Sequence, residues 1–196
     1  LAVLAVLMSA TLGLAVGVIS ATRQDTLADY SGRIFTIVGL SIPDFVVGTV
    51  LLLFLVFTFE WVPPITYRRL VEDPWGNFQQ FIFPAVLLGV GLSASIARMT
   101  RSTMLEVLRQ DYIRTAWAKG MRERTVILRH ALRNAMIPVI TIIGLQFGVM
   151  LGGTVVMEVL FGMPGLGYTM VQAIIQRDYP FMQAIEFRGG KIAKMR

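Results

Sequence analysis

The chain has 196 residues, of which 55% are hydrophobic and only 15% charged, and its mean hydropathy is +0.67. Because soluble domains carry about 25% charged residues, this composition excludes an ordinary soluble domain and indicates an integral membrane protein. The net charge of +6 does not by itself indicate nucleic-acid binding, since basic residues on cytoplasmic loops help to fix membrane orientation. The lack of cysteine in the sequence excludes disulfides, thiolate metal ligands and cysteine nucleophiles.

The first predicted span covers residues 1–21, a length that crosses a hydrocarbon core of about 30 Å. No basic segment precedes it and no cleavage-like site follows it, so a signal peptide is the weaker interpretation. Ser9, Ala10, Gly13 and Gly17 give it a small-residue face, which is typical of close packing between membrane helices.

The second predicted span covers residues 34–59 and contains Ser41, Pro43 and Asp44. Pro43 removes a backbone donor and predicts a kink. A carboxylate at this depth costs about 2.5–3.5 kcal/mol on insertion scales, which indicates that Asp44 faces a watery cavity or a partner helix. Two roles stay open for Asp44: lining a pathway, or capping and bonding the kinked backbone.

Residues 60–80 are rich in proline, tryptophan and glycine and are predicted to form a loop at the membrane interface. The third span is predicted over 81–97, with Pro84 in its first turn, and its helix is expected to continue through Glu106. A second small-residue surface lies in this span, at Gly89, Gly91, Ser93, Ala94 and Ser95.

The fourth span is predicted over residues 134–156, with Pro138 in its first turns and Gln146 as its one strongly polar member. A turn-rich loop follows, and residues 168–177 are predicted to form a short amphipathic helix. Residues 181–185 resemble the start of another span.

The two ends of the chain depart from this pattern. The apolar run already present at Leu1 predicts an upstream segment, so residues 1–185 are interpreted as a membrane domain truncated at its N-terminus and within its last span. We interpret residues 186–196, EFRGGKIAKMR, as a vector-derived or disordered tail because Glu-Phe is the translation of a common cloning site. A native basic tail at the membrane surface is the alternative.

Basic residues predict the orientation of the spans. Arg23, Arg33 and the nine basic residues within 98–133 lie on one side, whereas the other side has Arg68, Arg69 and Arg177. Because one side has eleven basic residues and the other has three, the large basic segment is predicted to lie in the cytoplasm.

That basic segment is predicted to be a helix, a glycine break and a second helix. In the first helix, residues 111–119, Asp111 is expected to cap the start and Gly120 to end it in the left-handed conformation. Tyr112, Ile113, Ala116 and Trp117 are predicted to share one face. The second helix is predicted to begin near Glu123 and to run into the fourth span, with Ile127, Leu128, Ala131 and Leu132 on one face.

Three functions are compatible with this pattern. The segment fits an interfacial linker that contacts anionic headgroups, and it equally fits a docking helix with an aromatic anchor for a partner's groove. Nucleic-acid binding is disfavoured because the basic residues are spread around short helices beside a membrane. Periodicity alone does not choose between the linker and the docking helix.

The segment DYIRTAWAKGMRERTVILRHALRNAMIP resembles the cytoplasmic EAA loop of bacterial ABC-importer permeases. Arg114-Thr115-Ala116 replaces E-A-A of the general pattern, and Gly120 has the expected spacing. His130 and Arg133 replace the later Ile and Pro, while Leu132 is retained, as in the dipeptide/oligopeptide/nickel branch of these permeases. Further matches to that branch are LSIPDFVVG, VPP, FPAVLLG and FGMPGLGYTMVQAIIQRDYP, which are distributed over most of the length of residues 30–185.

The resemblance implies an all-α polytopic helix bundle, the type I ABC-importer transmembrane domain, with about four complete spans plus the start of another. It implies a B-type permease subunit in the bacterial inner membrane. The partners implied are a homologous C-type permease, two ATP-binding subunits, an external solute-binding protein and the lipid bilayer, with no nucleic acid and no cofactor. The coupling helix that docks on an ATPase would comprise Asp111, Tyr112, Ile113, Arg114, Thr115, Ala116, Trp117, Ala118, Lys119 and Gly120.

No catalysis is expected in this chain, since no phosphate-binding loop or paired carboxylates occur in the sequence and its one histidine, His130, has no neighbouring ligand type. The candidate pathway residues are Ser41, Pro43, Asp44 and Gln146. The favoured function is a permease subunit that forms half of a pathway for peptides or related small solutes. The alternative is a self-sufficient channel or secondary carrier that uses Asp44 and Gln146.

Overall fold

The computed structural model describes residues 1–60, 62, 71–151 and 154–177, and every regular element over these residues is helical. The helices are α1 (Ala2–Thr22), α2 (Leu27–Ser41), α3 (Asp44–Phe59), α4 (Pro74–Leu108), α5 (Asp111–Ala118), α6 (Glu123–Leu151), α7 (Val155–Leu160) and α8 (Leu166–Ile175). Three of them, α1, α4 and α6, are long and apolar enough to cross a membrane, and the bent pair of α2 and α3 is a possible fourth span. The predicted all-α polytopic bundle is therefore confirmed.

The predicted small-residue face of α1 packs against α4. A Cβ placed on Gly13 would meet Ile96, and one placed on Gly17 would meet Thr100, each at less than 3 Å. Gly89 of α4 likewise lies against Met8. Because contacts advance in the same direction along both helices, α1 and α4 run parallel, and only glycine permits so close an approach.

The predicted kink at Pro43 is a complete break. Ile42 has extended backbone angles, α3 begins at Asp44, and the axes of α2 and α3 differ by 96°. The proline lacks a donor and also drives the preceding residue out of the helical region, so both effects act at one point of the chain.

The third span begins earlier than predicted, at Pro74 instead of near Phe81, so that residues 74–80 are helical and Pro84 lies well inside α4. Pro74 occupies the first helical position, where proline is favourable, and Asp73 caps the helix by accepting from the Gly76 backbone N–H at 2.8 Å. The helix extends to Leu108, so the predicted continuation through Glu106 is confirmed.

The predicted second amphipathic helix does run into the fourth span, as α6, but its face differs from the prediction. A π-helical stretch, Val126–Ala131, shifts the register so that Val126 is buried and Leu128 is 46% exposed. A periodicity of 3.6 residues cannot describe a stretch with wider turns. The span ends at Leu151 instead of Val156, because Val155–Leu160 forms the separate helix α7.

The apolar core is divided between the two ends of the bundle. We call the end where α1 meets α2 and α4 meets α5 the basic end. The core cluster at the basic end comprises Ala21, Met104, Ile113, Ala116, Val126, Ala131 and Ala135. The core cluster at the opposite end comprises Ala5, Val6, Leu87, Leu88, Met150, Met157, Phe161 and Met163.

The short helix predicted over 168–177 is present as α8, Leu166–Ile175. Residues 61 and 63–70 of the predicted interface loop, the start of a further span at 181–185 and the tail 186–196 lie outside the described residues.

Candidate functional site

Helix α5 is held rigidly between α4 and α6. It begins after Gln110, which occupies the capping position, so Asp111 is the first helical residue and makes no capping bond, contrary to the prediction. The carboxylate of Asp111 still lies in the first turn, where a negative charge is favourable. Gly120 has φ +74°, so the predicted left-handed helix end is confirmed.

One side of α5 packs into this chain. Ile113 is fully buried and Ala116 is 7% exposed, and both belong to the core cluster at the basic end. The resemblance implies Ile113 as one of the packing anchors for the ATPase, but its side chain is already covered within this chain by Met104 and its neighbours. The predicted shared face is thus divided between inward and outward residues.

The remaining residues of α5 are accessible from outside the chain. Tyr112 is 44% exposed and Trp117 is 45% exposed, and Arg114 and Lys119 are exposed beside them. The Asn134 side-chain amide donates to the Tyr112 hydroxyl at 2.8 Å, which fixes the Tyr112 ring against the start of α6. The helix thus presents two half-exposed aromatic side chains, one on each flank of its buried residues, with two exposed basic side chains beside them.

The candidate pathway residues converge at the break between α2 and α3. Pro43, Asp44 and Gln146 line one cavity of about 290 Å³, together with Gly91 and Ser95 of α4. The Gln146 amide group lies 3.4 Å from the Leu92 carbonyl, to which it donates, and the Gln146 Oε1 is buried without a hydrogen-bond partner. Residues far apart in the sequence therefore form one polar lining.

Ser41 does not join this lining. Its hydroxyl donates to the Ile37 carbonyl at 2.7 Å on the outer surface of α2, which leaves it no part in the cavity. Gly91 does join it, and a Cβ at this position would overlap the Asp44 carboxylate. The sequence marked Gly91 only as a member of a small-residue surface.

Asp44 also lines a second cavity of about 440 Å³, which lies between α3 and α7 and includes Thr154 and Met157. Its carboxylate makes no capping bond to α3 and no ion pair with any residue that the structure describes. This arrangement favours the pathway role over the capping role among the two that the sequence left open.

A buried ionic cluster, which was not predicted from the sequence, lies at the basic end. Asp29, whose side chain is inaccessible to solvent, accepts from Arg101 Nε at 2.7 Å and Nη2 at 2.9 Å. Arg33 Nη2 lies 2.6 Å from Asp29 Oδ2, the oxygen that also accepts from Arg101 Nη2, and the Ser20 hydroxyl donates to Asp29 Oδ1. The cluster joins α1, α2 and α4. Asp29 and Arg101 are 72 residues apart, so no local pattern in the sequence predicts that they pair.

A second missed residue is Glu158 of α7, which is 8% exposed. Its Oε2 accepts from the Tyr168 backbone N–H at 2.8 Å and so caps the first turn of α8. Gly165 and Gly167 lie against the carboxylate, where a side chain would overlap it. The two glycines in the sequence could have indicated that another group approaches the backbone closely at this point.

No group of three His, Asp or Glu side chains over the described ranges is arranged to hold a metal ion. The bundle therefore offers two surfaces of interest: the outer side of α5 and the polar cavity at the α2–α3 break.

The described residues form a multi-pass membrane helix bundle with an exposed short helix at its basic end. Residues 13–193 match the family described as binding-protein-dependent transport system inner membrane component, and the chain belongs to this family. It is accordingly a permease component of an ABC transporter of the inner membrane.

Several curated relatives are similar over most of the chain. It is 41% identical over 187 residues to the probable peptide ABC transporter permease protein y4tP of Sinorhizobium fredii, covering 94% of this chain and 59% of the relative. It is 42% identical over 172 residues to the glutathione transport system permease protein GsiC of Pectobacterium atrosepticum, covering 88% and 54%. GsiC of Escherichia coli K12 is 43% identical over 174 residues, with the same coverage of 88% and 54%. The chain thus spans between a half and three fifths of the length of these relatives.

Proposed function

We propose that this chain forms half of the translocation pathway of an ATP-driven importer and receives the driving motion through α5. The permease role belongs to the family, and the coupling role of α5 is the part that we add. The solute is proposed to be a peptide or a related small solute such as glutathione, since the similar proteins bear these names.

The contrast between the buried and the exposed residues of α5 is the observation that carries the proposal. Trp117 and Tyr112 offer an aromatic anchor to a partner, and such residues supply most of the binding energy in many interfaces. Ile113 is locked into the core cluster shared by α1, α4 and α6, so a displacement of α5 must displace those helices. An interfacial linker needs no such connection.

The proposed mechanism is a rigid-body transition. Two ATP-binding subunits would each hold one coupling helix, and ATP-driven closure of the pair would bring the helices together. The bundles attached to them would then switch access to the central pathway from one side of the membrane to the other. Hydrolysis takes place in the partners, and this chain supplies no reacting group.

The polar cavity at the α2–α3 break is proposed to line the pathway. Asp44 and Gln146 offer carboxylate and amide oxygens without partners among the described residues, and water or solute is the natural occupant of such a site. A homologous C-type permease would supply the other half of the pathway, and an external solute-binding protein would deliver the solute.

Uptake by reconstituted vesicles tests this proposal. The full-length permease is assembled with its C-type partner, ATPases and binding protein, and the uptake of labelled glutathione and labelled dipeptide is measured with and without ATP. We expect uptake only with ATP and all partners, and ATP hydrolysis stimulated by the loaded binding protein.

The self-sufficient channel or carrier is the competing function. It requires that the permease alone admits solute, with Asp44 and Gln146 as its polar residues. Uptake by vesicles that contain the permease without nucleotide or partners would support it and overturn the importer proposal.

A further inference from the structure

A cavity of about 710 Å³ lies between α2 and the part of α4 at the basic end. Four arginines and one carboxylate line it: Arg33, Arg98, Arg101, Arg109 and Glu106. The hydroxyls of Thr36 and Ser102 add hydrogen-bonding groups. The lining is strongly basic, and neither the coupling role of α5 nor the pathway uses it.

Two of the arginines are free to bind an anion. Arg33 and Arg101 are engaged with Asp29, at 2.6 Å and 2.7 Å. Arg98 and Arg109 have no acidic partner among the described residues, and both are exposed. An anionic group that enters the cavity therefore meets two uncompensated guanidinium groups, which bind phosphate oxygens in a forked geometry.

The position of the cavity along α4 corresponds to the membrane surface. Helix α4 has 35 residues, so it extends about 52 Å and exceeds a hydrocarbon core of about 30 Å. Arg98 and Arg101 lie about 36–40 Å from the start of α4 at Pro74, a distance at which the helix has left the hydrocarbon core.

The apolar side of the cavity fits an acyl chain. Ile37 and Leu105 line it beside the arginines. On α2, the side chains of Ile34, Ile37 and Val38 are 62%, 63% and 48% exposed and form an uncovered apolar stripe that leads away from Arg33. A basic cavity with this apolar stripe beside it matches an amphiphile better than a free inorganic ion.

We propose that this cavity binds the phosphate headgroup of an anionic phospholipid of the cytoplasmic leaflet, with Arg98 and Arg109 as its ligands. The acyl chains then lie along the apolar stripe of α2. Because Arg33 and Arg101 also anchor the buried Asp29 cluster, the lipid is bound directly against the junction of α1, α2 and α4.

Native mass spectrometry of the full-length permease in its assembled transporter tests the site. Phosphatidylglycerol and phosphatidylcholine are titrated separately, and the tested variant carries Arg98→Gln and Arg109→Gln. We expect wild type to prefer phosphatidylglycerol and the double variant to lose about fivefold in affinity for each arginine removed. The variant Arg98→Lys with Arg109→Lys is expected to retain most of the affinity, which separates loss of charge from loss of fold.

The matched control removes the same charge elsewhere at the basic end, with Arg122→Gln and Arg124→Gln, two exposed residues outside the cavity. Equal losses in the control and the tested variant, or wild-type affinity in the tested variant, overturn the proposal. Competition by millimolar inorganic phosphate as effective as that by the lipid overturns the assignment to a headgroup and indicates a free-phosphate site.

Discussion

Asp44 is a carboxylate in an apolar bundle, and no charged group of the described chain neutralises it. Such a group costs about 2.5–3.5 kcal/mol on insertion scales, a cost that is difficult to explain by the fold alone. Asp44→Asn keeps the size of the side chain and removes the charge.

We therefore expect Asp44→Asn to leave the melting temperature of the assembled transporter unchanged or raised, and to lower ATP-dependent solute uptake. Thermal unfolding and vesicle uptake measure the two effects. A fall in melting temperature without a change in uptake by the folded fraction contradicts the pathway role and indicates a structural one.

Asp29 differs from Asp44 because it is fully compensated. Its two oxygens face Arg101 and Arg33, and the Ser20 hydroxyl donates to it as well. A buried carboxylate that loses its partner is strongly destabilising, whereas a partly exposed arginine contributes little. The arginine that matters is the less exposed of the two, Arg101, at 21% against 38% for Arg33.

We expect Arg101→Met to destabilise the bundle by about 3 kcal/mol or more and Arg33→Met to have a much smaller effect. Thermal unfolding of the two purified variants, compared side by side, measures the difference. Equal losses of stability in the two variants show that Asp29 does not depend on the bidentate contact with Arg101.

At the scale of the element, the exposed and the buried residues of α5 have different expected roles. Trp117 offers an exposed ring to a partner, while Ile113 fills the core cluster at the basic end. Substitution of each by alanine therefore affects a different property, although the two residues lie four positions apart on one short helix.

Trp117→Ala is expected to weaken docking of the ATP-binding subunit by about 2 kcal/mol or more, as at other aromatic anchors, with an unchanged melting temperature. Ile113→Ala is expected to cost about 2–5 kcal/mol of stability through the cavity it leaves. Co-purification of the ATPase and thermal unfolding distinguish them. Docking that is unaffected by Trp117→Ala shows that the anchor is wrongly assigned.

At the scale of the whole molecule, the orientation of the bundle rests on charge. Parallel packing of α1 and α4 requires that both run from the same side of the membrane, and the basic residues place their ends in the cytoplasm. The 196 residues contain no cysteine, so an introduced thiol is unique within this part of the chain.

We expect Arg124→Cys to react with a membrane-impermeant maleimide only in inverted vesicles, and Pro164→Cys only in right-side-out cells. Both positions are exposed. Gel-shift labelling measures the reaction, and the reverse pattern contradicts the assigned orientation and with it the docking of α5 on a cytoplasmic ATPase.

Local signals in the sequence were sufficient for the class, for the apolar spans and for two of the helix ends. The apolar runs predicted the spans, Pro43 predicted the interruption, and Gly120 predicted the end of α5, because each effect acts within a few residues of its cause. The start of α4 was missed because Pro74 was interpreted as a breaker, although proline is favourable at the first helical position.

The tertiary structure decided which side chains meet. It joined Asp44 to Gln146, paired Asp29 with Arg101, and turned Ile113 inwards while Trp117 faces outwards. None of these follows from periodicity, which predicts that residues share a face and not what covers that face. Local chemistry therefore determined where this chain is helical and membrane-bound, and only packing between distant segments decided which of its polar and aromatic groups are available for function.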